Sequence, residues 1–490
     1  SGSIEVSSVP PLDLDKRLKY LIRYPHGCIE QTTSSVFPQL YLSKVMDLNE
    51  EELNKLEANV KAGIKRLKTF QVSNGGFAYW PGGSSASTWG TNYGGHFLIE
   101  AKIKGYSVPE GMIKGILKYQ KKQANNWKRD GSVYKHPHGK ESDELIQAYR
   151  LYNLALAEKP ALGAMNRMKE MENISNIAQW RLAGAYALVG KEKIANDIIA
   201  KLNTDIKPYQ EMRYSYGSSL RDQGMILEIL TIQNDMINGK RIFDEIAKQL
   251  SSNSWYNTQT TAYSLLGLSK FIGNISQDGL NYELVNNGTK SKVLTKMPIH
   301  RDDLALNKES NQLKITNNGS NIIFIKVKNT GVPLKGNITE AENNLSMNIK
   351  YINMKGEKIS PYVLEQGTDF MAEIVIKNTS YLDLHQLALS QMFPSGWEIR
   401  NTRMDNVSSA HLKDHPDYQD FRDDRVYSYF NLSKGQTKTF RIILNASYMG
   451  EFFLPITYCE AMYDNEYFSR KAGGVVKVIK SGGELTTVGE

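Results

Sequence analysis

The sequence predicts a multi-domain protein of the α plus β class, with helices in its first half and antiparallel strands in its second. Apolar residues recur at three- and four-residue spacing from residue 14 to about 273, as in helices that pack on partners. From about residue 282 onward they alternate with polar residues in short runs. A chain of 490 residues also exceeds one ordinary core, and its length suggests roughly two to four domains.

Composition excludes several classes of function. The chain is 40% hydrophobic and 23% charged, and no stretch approaches the roughly 20 apolar residues of a membrane span. Its net charge of +8 comes from scattered Lys and Arg residues, so we expect no nucleic-acid partner. The two cysteines, Cys28 and Cys459, stand near opposite ends of the chain, and we expect neither a disulfide framework nor a metal site nor a cofactor. Cys459 is predicted to be a buried thiol in a strand.

The helical half contains about a dozen apolar stripes, including Leu53–Leu67, Leu145–Leu156 and Ile242–Leu250. A glycine-rich turn with aromatic residues, Gln71–Gly83, separates two of these stripes. This turn is similar to the inter-helix turns of alpha/alpha toroids, in which helical hairpins circle a common axis. Its glycines are better explained by turn geometry than by phosphate binding, because the polar pattern of a P-loop is missing.

One short segment carries the chemistry. Cys28 and Gln31 stand three residues apart, so their side chains can meet on a helix that begins near Gly27. A thiolate at Cys28 can attack the carboxamide carbon of Gln31, expel ammonia and leave an internal thioester. Such an acyl group is far more electrophilic than the amide it replaces.

The surrounding residues resemble a known motif. The segment Tyr24–Ser34, YPHGCIEQTTS, is similar to the thioester motif of bacterial alpha-2-macroglobulin family proteins, which are relatives of the complement thioester proteins. Tyr216–Gln223 and Asn257–Thr260 also look like segments of that family's thioester domain. Phe453–Asp464 is similar to the closing strand of its C-terminal macroglobulin-like domain.

The resemblance implies a domain order. Residues 1–13 would supply the first strand of a split CUB-like β domain, 14–275 an alpha/alpha-toroid thioester domain, 276–343 the rest of the CUB-like domain, 344–480 a macroglobulin-like antiparallel β-sandwich, and 481–490 a tail. Because the chain opens at a strand near Ile4–Val6, we expect it to be the C-terminal part of a longer protein.

The resemblance also implies a function. The whole protein would be a protease-trapping inhibitor of the cell envelope, either periplasmic or lipid-anchored outside the cytoplasm. Cleavage of an upstream bait region would expose the thioester, which would acylate a lysine of the attacking protease in a single turnover, so the protein would be an endopeptidase inhibitor and not an enzyme. Its partners would be target proteases and the other domains of the full-length chain, with any membrane tether in the missing N-terminal region.

Several residues near the pair have two interpretations. Glu30 can act as a local base, or it can favour the first helical turn, where an acidic side chain offsets the helix dipole. Gly27 permits close backbone approach and Pro25 limits the backbone before the helix. Tyr24 and Pro25 can also screen the thioester from water. Ordinary helix-start chemistry explains these residues and Gly27 as well, and the two interpretations are compatible.

A histidine attacks the thioester in some complement relatives and passes the acyl group to hydroxyls. His138, and less plausibly His136, occupies a loop broadly where that histidine would fall. A histidine in a polar loop is more often solvated than catalytic. Without such a group the thioester is expected to prefer amines.

Three other functions would each use some of these features. A covalent adhesin would use the same thioester on host-surface amines, and upstream sequence would distinguish it from a trap. A cysteine hydrolase would pair His26 with Cys28, but adjacent residues rarely converge in that way. A toroid glycosidase or cyclase would need paired acidic residues facing the ring cavity, and no Asp-rich helical motif is present.

Overall fold

The structure is a computed structural model that describes residues 2–23, 27–136, 138–252, 254–274, 279–307, 310–329, 331, 339–400 and 414–482. Two compact units make up the chain, residues 1–332 and residues 333–490. The first contains the helices and two small sheets, and the second is built from strands. The predicted α plus β class is therefore confirmed.

The helices of the first unit lie between residues 14 and 274. They are α1 (Leu14–Arg23), α2 (Ile29–Val36), α3 (Gln39–Leu42), α4 (Glu50–Leu67), α5 (Thr88–Ile103), α6 (Glu110–Asn126), α7 (Gly139–Leu156), α8 (Leu162–Lys169), α9 (Asn176–Leu188), α10 (Glu192–Ile199), α11 (Ser219–Ile232), α12 (Met236–Leu250) and α13 (Thr258–Asn274). Short 3-10 turns at Lys68–Phe70 and Val133–Lys135 complete the series. The sequence predicted most of these helices and missed α8.

Six of the helices form a closed inner ring. Helix α2 packs on α5, α5 on α7, α7 on α9, α9 on α11, α11 on α13, and α13 returns to α2. The intervening helices α4, α6, α8, α10 and α12 lie outside and pack on their inner neighbours. This is the toroid that the glycine-rich turn predicted.

Close backbone approach ties the last two inner helices together. A Cβ atom on Gly224 would lie 2.8 Å from the carbonyl oxygen of Tyr263, and one on Gly267 would lie 2.7 Å from the carbonyl oxygen of Gly224. Only glycine permits α11 and α13 to cross at this distance. The pair of glycines therefore helps to close the ring.

Buried charges stabilise the ring interior. The Lys270 ammonium lies 2.5 Å from an oxygen of Glu100 and 2.5 Å from an oxygen of Glu228, and Arg181 pairs with the other oxygen of Glu228. Tyr41 donates a 2.5 Å hydrogen bond to Glu100. Helices α3, α5, α9, α11 and α13 thus meet in one ionic cluster.

The pKa values in this cluster follow from its charges. Burial alone would raise the pKa of Glu228, but the charges of Arg181 and Lys270 outweigh burial and lower it to about 2. Burial lowers the pKa of His96, so its imidazole stays neutral at pH 7. The depressed pKa of Glu228 stabilises the fold at neutral pH, and this contribution is lost as pH falls toward that pKa. The depressed pKa of His96 adds no stability at neutral pH, but it disfavours the fold as pH falls below the ordinary pKa of histidine.

The strands of the first unit form two three-stranded antiparallel sheets. They are β1 (Gly2–Ser7), β2 (Leu280–Asn286), β3 (Thr289–Thr295), β4 (Ile299–Leu304), β5 (Leu313–Asn317) and β6 (Phe324–Asn329), in the orders β4-β1-β6 and β3-β2-β5. The first strand of the chain lies between two strands that follow the helices, so the helical ring is inserted into this β structure. Asn287 and Gly288 have φ values of 49° and 87° and form the hairpin turn between β2 and β3.

The second unit consists of strands β7 to β20. They are β7 (Ala341–Asn343), β8 (Leu345–Asn353), β9 (Lys358–Ile359), β10 (Val363–Glu365), β11 (Asp369–Asn378), β12 (Leu384–Met392), β13 (Trp397–Arg400), β14 (Tyr418–Phe421), β15 (Arg425–Leu432), β16 (Thr437–Ala446), β17 (Gly450–Leu454), β18 (Thr457–Ala461), β19 (Asp464–Lys471) and β20 (Gly474–Ile479). A five-stranded sheet (β13-β16-β11-β8-β9) and a six-stranded sheet (β14-β15-β12-β18-β19-β7) are antiparallel throughout, as predicted. A third sheet, β10-β20-β17, includes one parallel pair.

Four points compare the second unit and the tail with the sequence prediction. The predicted closing strand Phe453–Asp464 is divided among β17, β18 and the start of β19. Pro455, which cannot donate to a ladder, separates β17 from β18, and a turn separates β18 from β19. Residues Ala341–Asn343, which the predicted boundary assigned to the CUB-like domain, pair with β19 in this unit. Cys459 is a buried thiol in β18, as predicted. Of the predicted tail, residues 483–490 lie outside the described residues.

Among the described residues, no helix has both the length and the apolar character that crossing a membrane requires.

Replacing Lys270 by Met should lower the free energy of unfolding by about 3–5 kcal/mol, because Glu100 and Glu228 would remain buried with less positive charge. Urea unfolding followed by circular dichroism measures the change. Lys240→Met is the matched control, since Lys240 pairs with Asp244 on the exposed face of α12 and should cost less than about 0.5 kcal/mol. Equal stability of the two variants would show that the cluster contributes nothing to the ring.

Candidate functional site

Cys28 and Gln31 meet at the start of an inner helix. Cys28 is the N-cap of α2, and its sulfur accepts a hydrogen bond from the backbone N–H of Gln31 at 3.5 Å. In return the backbone N–H of Cys28 donates to Oε1 of Gln31 at 3.4 Å. This reciprocal pair is a capping box in which a thiol takes the place of the usual hydroxyl. Each side chain thus binds the backbone of the other residue.

Both groups are shielded from water. The exposed fraction of Cys28 is 0% and that of Gln31 is 3%. The helix N-terminus also favours negative charge, so its dipole supports thiolate formation at Cys28. A nucleophile and a carboxamide held together in a dry site can form an acyl bond that water would otherwise hydrolyse.

Gly27 permits an arginine to reach the backbone beside the cysteine. Arg66 donates to the carbonyl oxygen of Gly27 at 3.2 Å and to the hydroxyl of Thr32 at 3.4 Å. A Cβ atom on Gly27 would lie 2.4 Å from the guanidinium of Arg66. This close contact agrees with the expected close approach at Gly27. Tyr24 and Pro25, which were also predicted to belong to the site, lie outside the described residues.

Glu30 anchors α2 within the ring. Its buried carboxylate accepts hydrogen bonds from the hydroxyl of Ser34 at 2.6 Å and from the hydroxyl of Thr258 at 2.9 and 3.1 Å. The first contact runs along α2 and the second reaches the first turn of α13. The sequence left Glu30 open between a base and a helix-start charge, and these contacts add an anchoring role that neither alternative included.

Aromatic residues from distant segments surround the pair. The carbonyl oxygen of Tyr79, in the glycine-rich turn, accepts from the backbone N–H of Ile29 at 3.0 Å. The ring of Tyr79 lies 5.6 Å from that of Tyr216, which is buried. Burial raises the pKa of Tyr216, and the nearby Cys28 adds to that rise electrostatically. Tyr216 therefore packs on Tyr79, whose carbonyl oxygen binds the residue that follows Cys28.

The segment that carries Tyr216 is held by a buried carboxylate. Glu211 accepts hydrogen bonds from the backbone N–H groups of Tyr214 at 2.6 Å and Ser215 at 2.8 Å, and also from that of Arg213. Tyr216 has a φ of 52°, a left-handed conformation that costs a non-glycine residue about 1–2 kcal/mol. Such strain persists only where the surrounding contacts impose it.

The two loop histidines contact other parts of the rim. His138 is the N-cap of α7, and its ring lies 4.9 Å from that of Tyr209. Tyr209 in turn donates to Asp222 at 2.6 Å. His136 is exposed, with its ring 6.2 Å from that of Tyr214. Within the described residues, the structure does not bring His138 or His136 into hydrogen-bond contact with the Cys28 and Gln31 pair.

One group of side chains has the composition of a metal site. The potential ligand atoms of His96, Glu100 and Glu228 lie within 4.8 Å of one another in the ring interior. The ammonium of Lys270 already lies between the two carboxylates, at 2.5 Å from each. A lysine thus supplies the positive charge that a metal ion would bring.

Sequence reasoning placed Thr258 and Gln259 of α13 in a segment that resembles the family's thioester domain, but it gave neither residue a role at the site. Thr258 binds Glu30, and Gln259 accepts a hydrogen bond from the indole of Trp89 at 2.5 Å. The signal for them was a run of polar residues at the start of a helix that is otherwise apolar. Without the ring closure, nothing in that run indicates which residues it contacts.

Comparison with known proteins agrees with this arrangement. The family model of the A-macroglobulin TED domain matches residues 5–138, and that of the bacterial alpha-2-macroglobulin MG10 domain matches residues 345–466. The alpha-2-macroglobulin of Escherichia coli K12 is 25% identical over 505 residues, covering 94% of this chain and 29% of that protein. That of Pasteurella multocida is 22% identical over 525 residues, covering 96% of this chain and 26% of the relative. The chain therefore spans less than a third of the length of these relatives.

Solved structures share the fold. The E. coli alpha-2-macroglobulin fragment from domain MG7 to the C-terminus has a TM-score of 0.77 at 23% identity, over 97% of this chain and 77% of that one. Salmonella alpha-2-macroglobulin reacted with methylamine has a TM-score of 0.79 at 23% identity, over 97% of this chain and 31% of that one.

The toroid with its capped cysteine and the β-sandwich together define a protein of the thioester-domain and macroglobulin-domain class. More particularly, the chain belongs to the bacterial alpha-2-macroglobulin family.

Replacing Thr258 by Val should lower the free energy of unfolding by about 1–3 kcal/mol, because the buried carboxylate of Glu30 would lose a donor. Thr261→Val on the same helix is the control. Thr261 bonds only the carbonyl oxygen of Asn257, which also accepts the backbone N–H of Thr261, so its loss should cost less than about 1 kcal/mol. Thermal unfolding of both variants tests the anchor, and a control as unstable as Thr258→Val would contradict it.

Proposed function

We propose that Cys28 and Gln31 form an internal thioester and that this chain is the acylating part of a protease-trapping inhibitor. The observation that carries the proposal is the buried reciprocal capping of the two residues, which places a thiol and a carboxamide on one helical turn. Membership of the alpha-2-macroglobulin family supports the trapping role.

Thioester formation conserves atoms within the site. The sulfur of Cys28 bonds to the side-chain carbonyl carbon of Gln31, the carbon–nitrogen bond breaks, and ammonia leaves with the thiol proton. Burial keeps water away from the new acyl bond. The product stores an acyl donor that stays inert until a nucleophile can approach.

Acylation of a target follows from the same chemistry. A lysine amine of the trapped protease attacks the carbonyl carbon, the Cys28 thiolate leaves and takes up the amine proton, and an isopeptide bond links position 31 to the target. Because the acyl group is consumed, each molecule reacts once and is an inhibitor, not an enzyme. Cleavage of a bait region elsewhere in the full-length protein is the proposed trigger.

The proposed location is the cell envelope, where a trap would meet foreign proteases. The remaining domains of the full-length protein would supply the bait and any membrane tether. A relative with the same fold, Salmonella alpha-2-macroglobulin, has been solved after reaction with methylamine. This result supports amines as the nucleophiles that the thioester of this chain accepts.

Freshly purified full-length protein, kept from amines, should have an intact mass lower than its sequence mass by one ammonia. Cys28→Ala should have its sequence mass, because no sulfur is available to displace the amide. Cys459→Ala is the matched control and should keep the deficit, since Cys459 is buried in the second unit. A parent protein with a free Cys28 thiol and an unmodified Gln31 amide would disprove the thioester.

The exposed thioester should acylate amines in preference to hydroxyls. A deprotonated amine is a stronger nucleophile than a neutral hydroxyl, and thiolate leaves readily, so direct attack needs no imidazole carrier. His138 contacts the ring of Tyr209, and among the described residues no hydrogen bond joins it to Cys28 or Gln31. Mass spectrometry after exposure to equal concentrations of methylamine and glycerol measures both adducts.

The control for that experiment is His138→Ala, with His136→Ala as a second variant from the same loop. Both should keep the amine preference of the parent. A dominant glycerol adduct that disappears only in His138→Ala would instead make His138 a catalytic residue.

A further inference from the structure

The first turn of α13 contacts three different elements around the thioester pair. Thr258 donates to Glu30 of α2. Gln259, the next residue, bonds the segment before α11, and the hydroxyl of Thr260 lies 2.6 Å from that of Ser218, the N-cap of α11. Three consecutive side chains therefore join α2 to the segment that carries Tyr216.

Gln259 makes the most direct of these connections. Its amide nitrogen donates to the carbonyl oxygens of Ser215 at 2.7 Å and Tyr216 at 3.0 Å. Its oxygen accepts from the indole nitrogen of Trp89 at 2.5 Å, and its side chain is fully buried. Every polar atom of this side chain is thus used, and two of its three bonds hold the backbone at Tyr216.

The segment that Gln259 holds is constrained from several sides. A bridge between Gln210 and Ser218 closes it into a short loop, and Glu211 binds its backbone from within. Tyr216 has a left-handed φ of 52°, and a Cβ atom on Gly217 would lie 2.2 Å from the guanidinium of Arg221. A loop in this conformation depends on its partners to keep Tyr216 in place.

We propose that Gln259 is a positioning residue that keeps Tyr216 packed on Tyr79, beside the first residue of α2, and so sets the rate at which water and amines reach the thioester. The inference rests on the proposed thioester, because it concerns access to that bond. Loss of the two bonds from Gln259 would free the loop while leaving both reacting residues and the Glu30 anchor unchanged. The loop would then act as the local gate of the acyl group.

The test uses Gln259→Glu in the full-length protein. The substitution keeps the shape of the side chain and the oxygen that accepts from Trp89. It removes the amide N–H groups that donate to Ser215 and Tyr216, and it places a carboxylate oxygen next to their carbonyl oxygens. Gln120→Glu is the matched control, since Gln120 is equally buried and its amide donates to the carbonyl oxygen of Thr91, away from this loop. Intact mass and free-thiol release follow thioester loss over time in buffer, and separately in methylamine.

We expect Gln259→Glu to lose its thioester at least about tenfold faster than the parent, because the free energy of two lost hydrogen bonds corresponds to a factor of that size. Gln120→Glu should lose its thioester at the rate of the parent. Thermal unfolding of each protein separates a released loop from a damaged fold, because a freed loop changes the half-life of the thioester without an equal change in melting temperature. A half-life for Gln259→Glu equal to that of the parent would overturn the inference.

A second variant keeps the inference falsifiable if Gln259→Glu does not fold. Glu211→Gln loosens the same loop from its other side, because a neutral amide binds the backbone N–H groups less strongly than a carboxylate does. It should also shorten the half-life of the thioester, and an unchanged half-life would overturn the inference. If the parent protein itself has no mass deficit, the proposed thioester fails instead, so the two failures are distinguishable.

Discussion

The chemistry of this chain depends on one pair of hydrogen bonds at the start of α2. The sulfur of Cys28 and the amide oxygen of Gln31 each accept a backbone N–H of the other residue. An N-cap with serine would form the same geometry but could not store an acyl group as a thioester. In the proposed function, the thiol converts a common helix-start motif into a reactive site.

The ring supplies what that turn cannot provide by itself. Glu30 accepts a hydrogen bond from Thr258, which lies 228 residues later in the sequence. The ring of Tyr79 packs on that of Tyr216, which also comes from a distant segment of the chain. Because α13 packs on α2, the last inner helix lies beside the first and closes the environment of Cys28. Buried charges deeper in the ring, centred on Lys270, hold five helices together around this arrangement.

Local patterns predicted most of the fold because each depends on neighbouring residues. Helix periodicity, the Asn287 and Gly288 hairpin and the alternation of strands are all properties of short windows. The predictions differed from the structure where contacts with residues far away in the sequence decide which sheet a segment joins. Residues Ala341–Asn343 pair with a strand more than a hundred residues away, and their own composition gives no sign of that choice.

The sequence by itself determined that Cys28 and Gln31 share one helical turn, since their spacing follows from local geometry. It also determined the helical and strand-rich halves of the chain. Only the tertiary structure decided which residues surround the pair, including Thr258, Gln259 and Tyr216. The physical reason is that closing a ring brings together side chains whose spacing in the sequence carries no information about their distance in space.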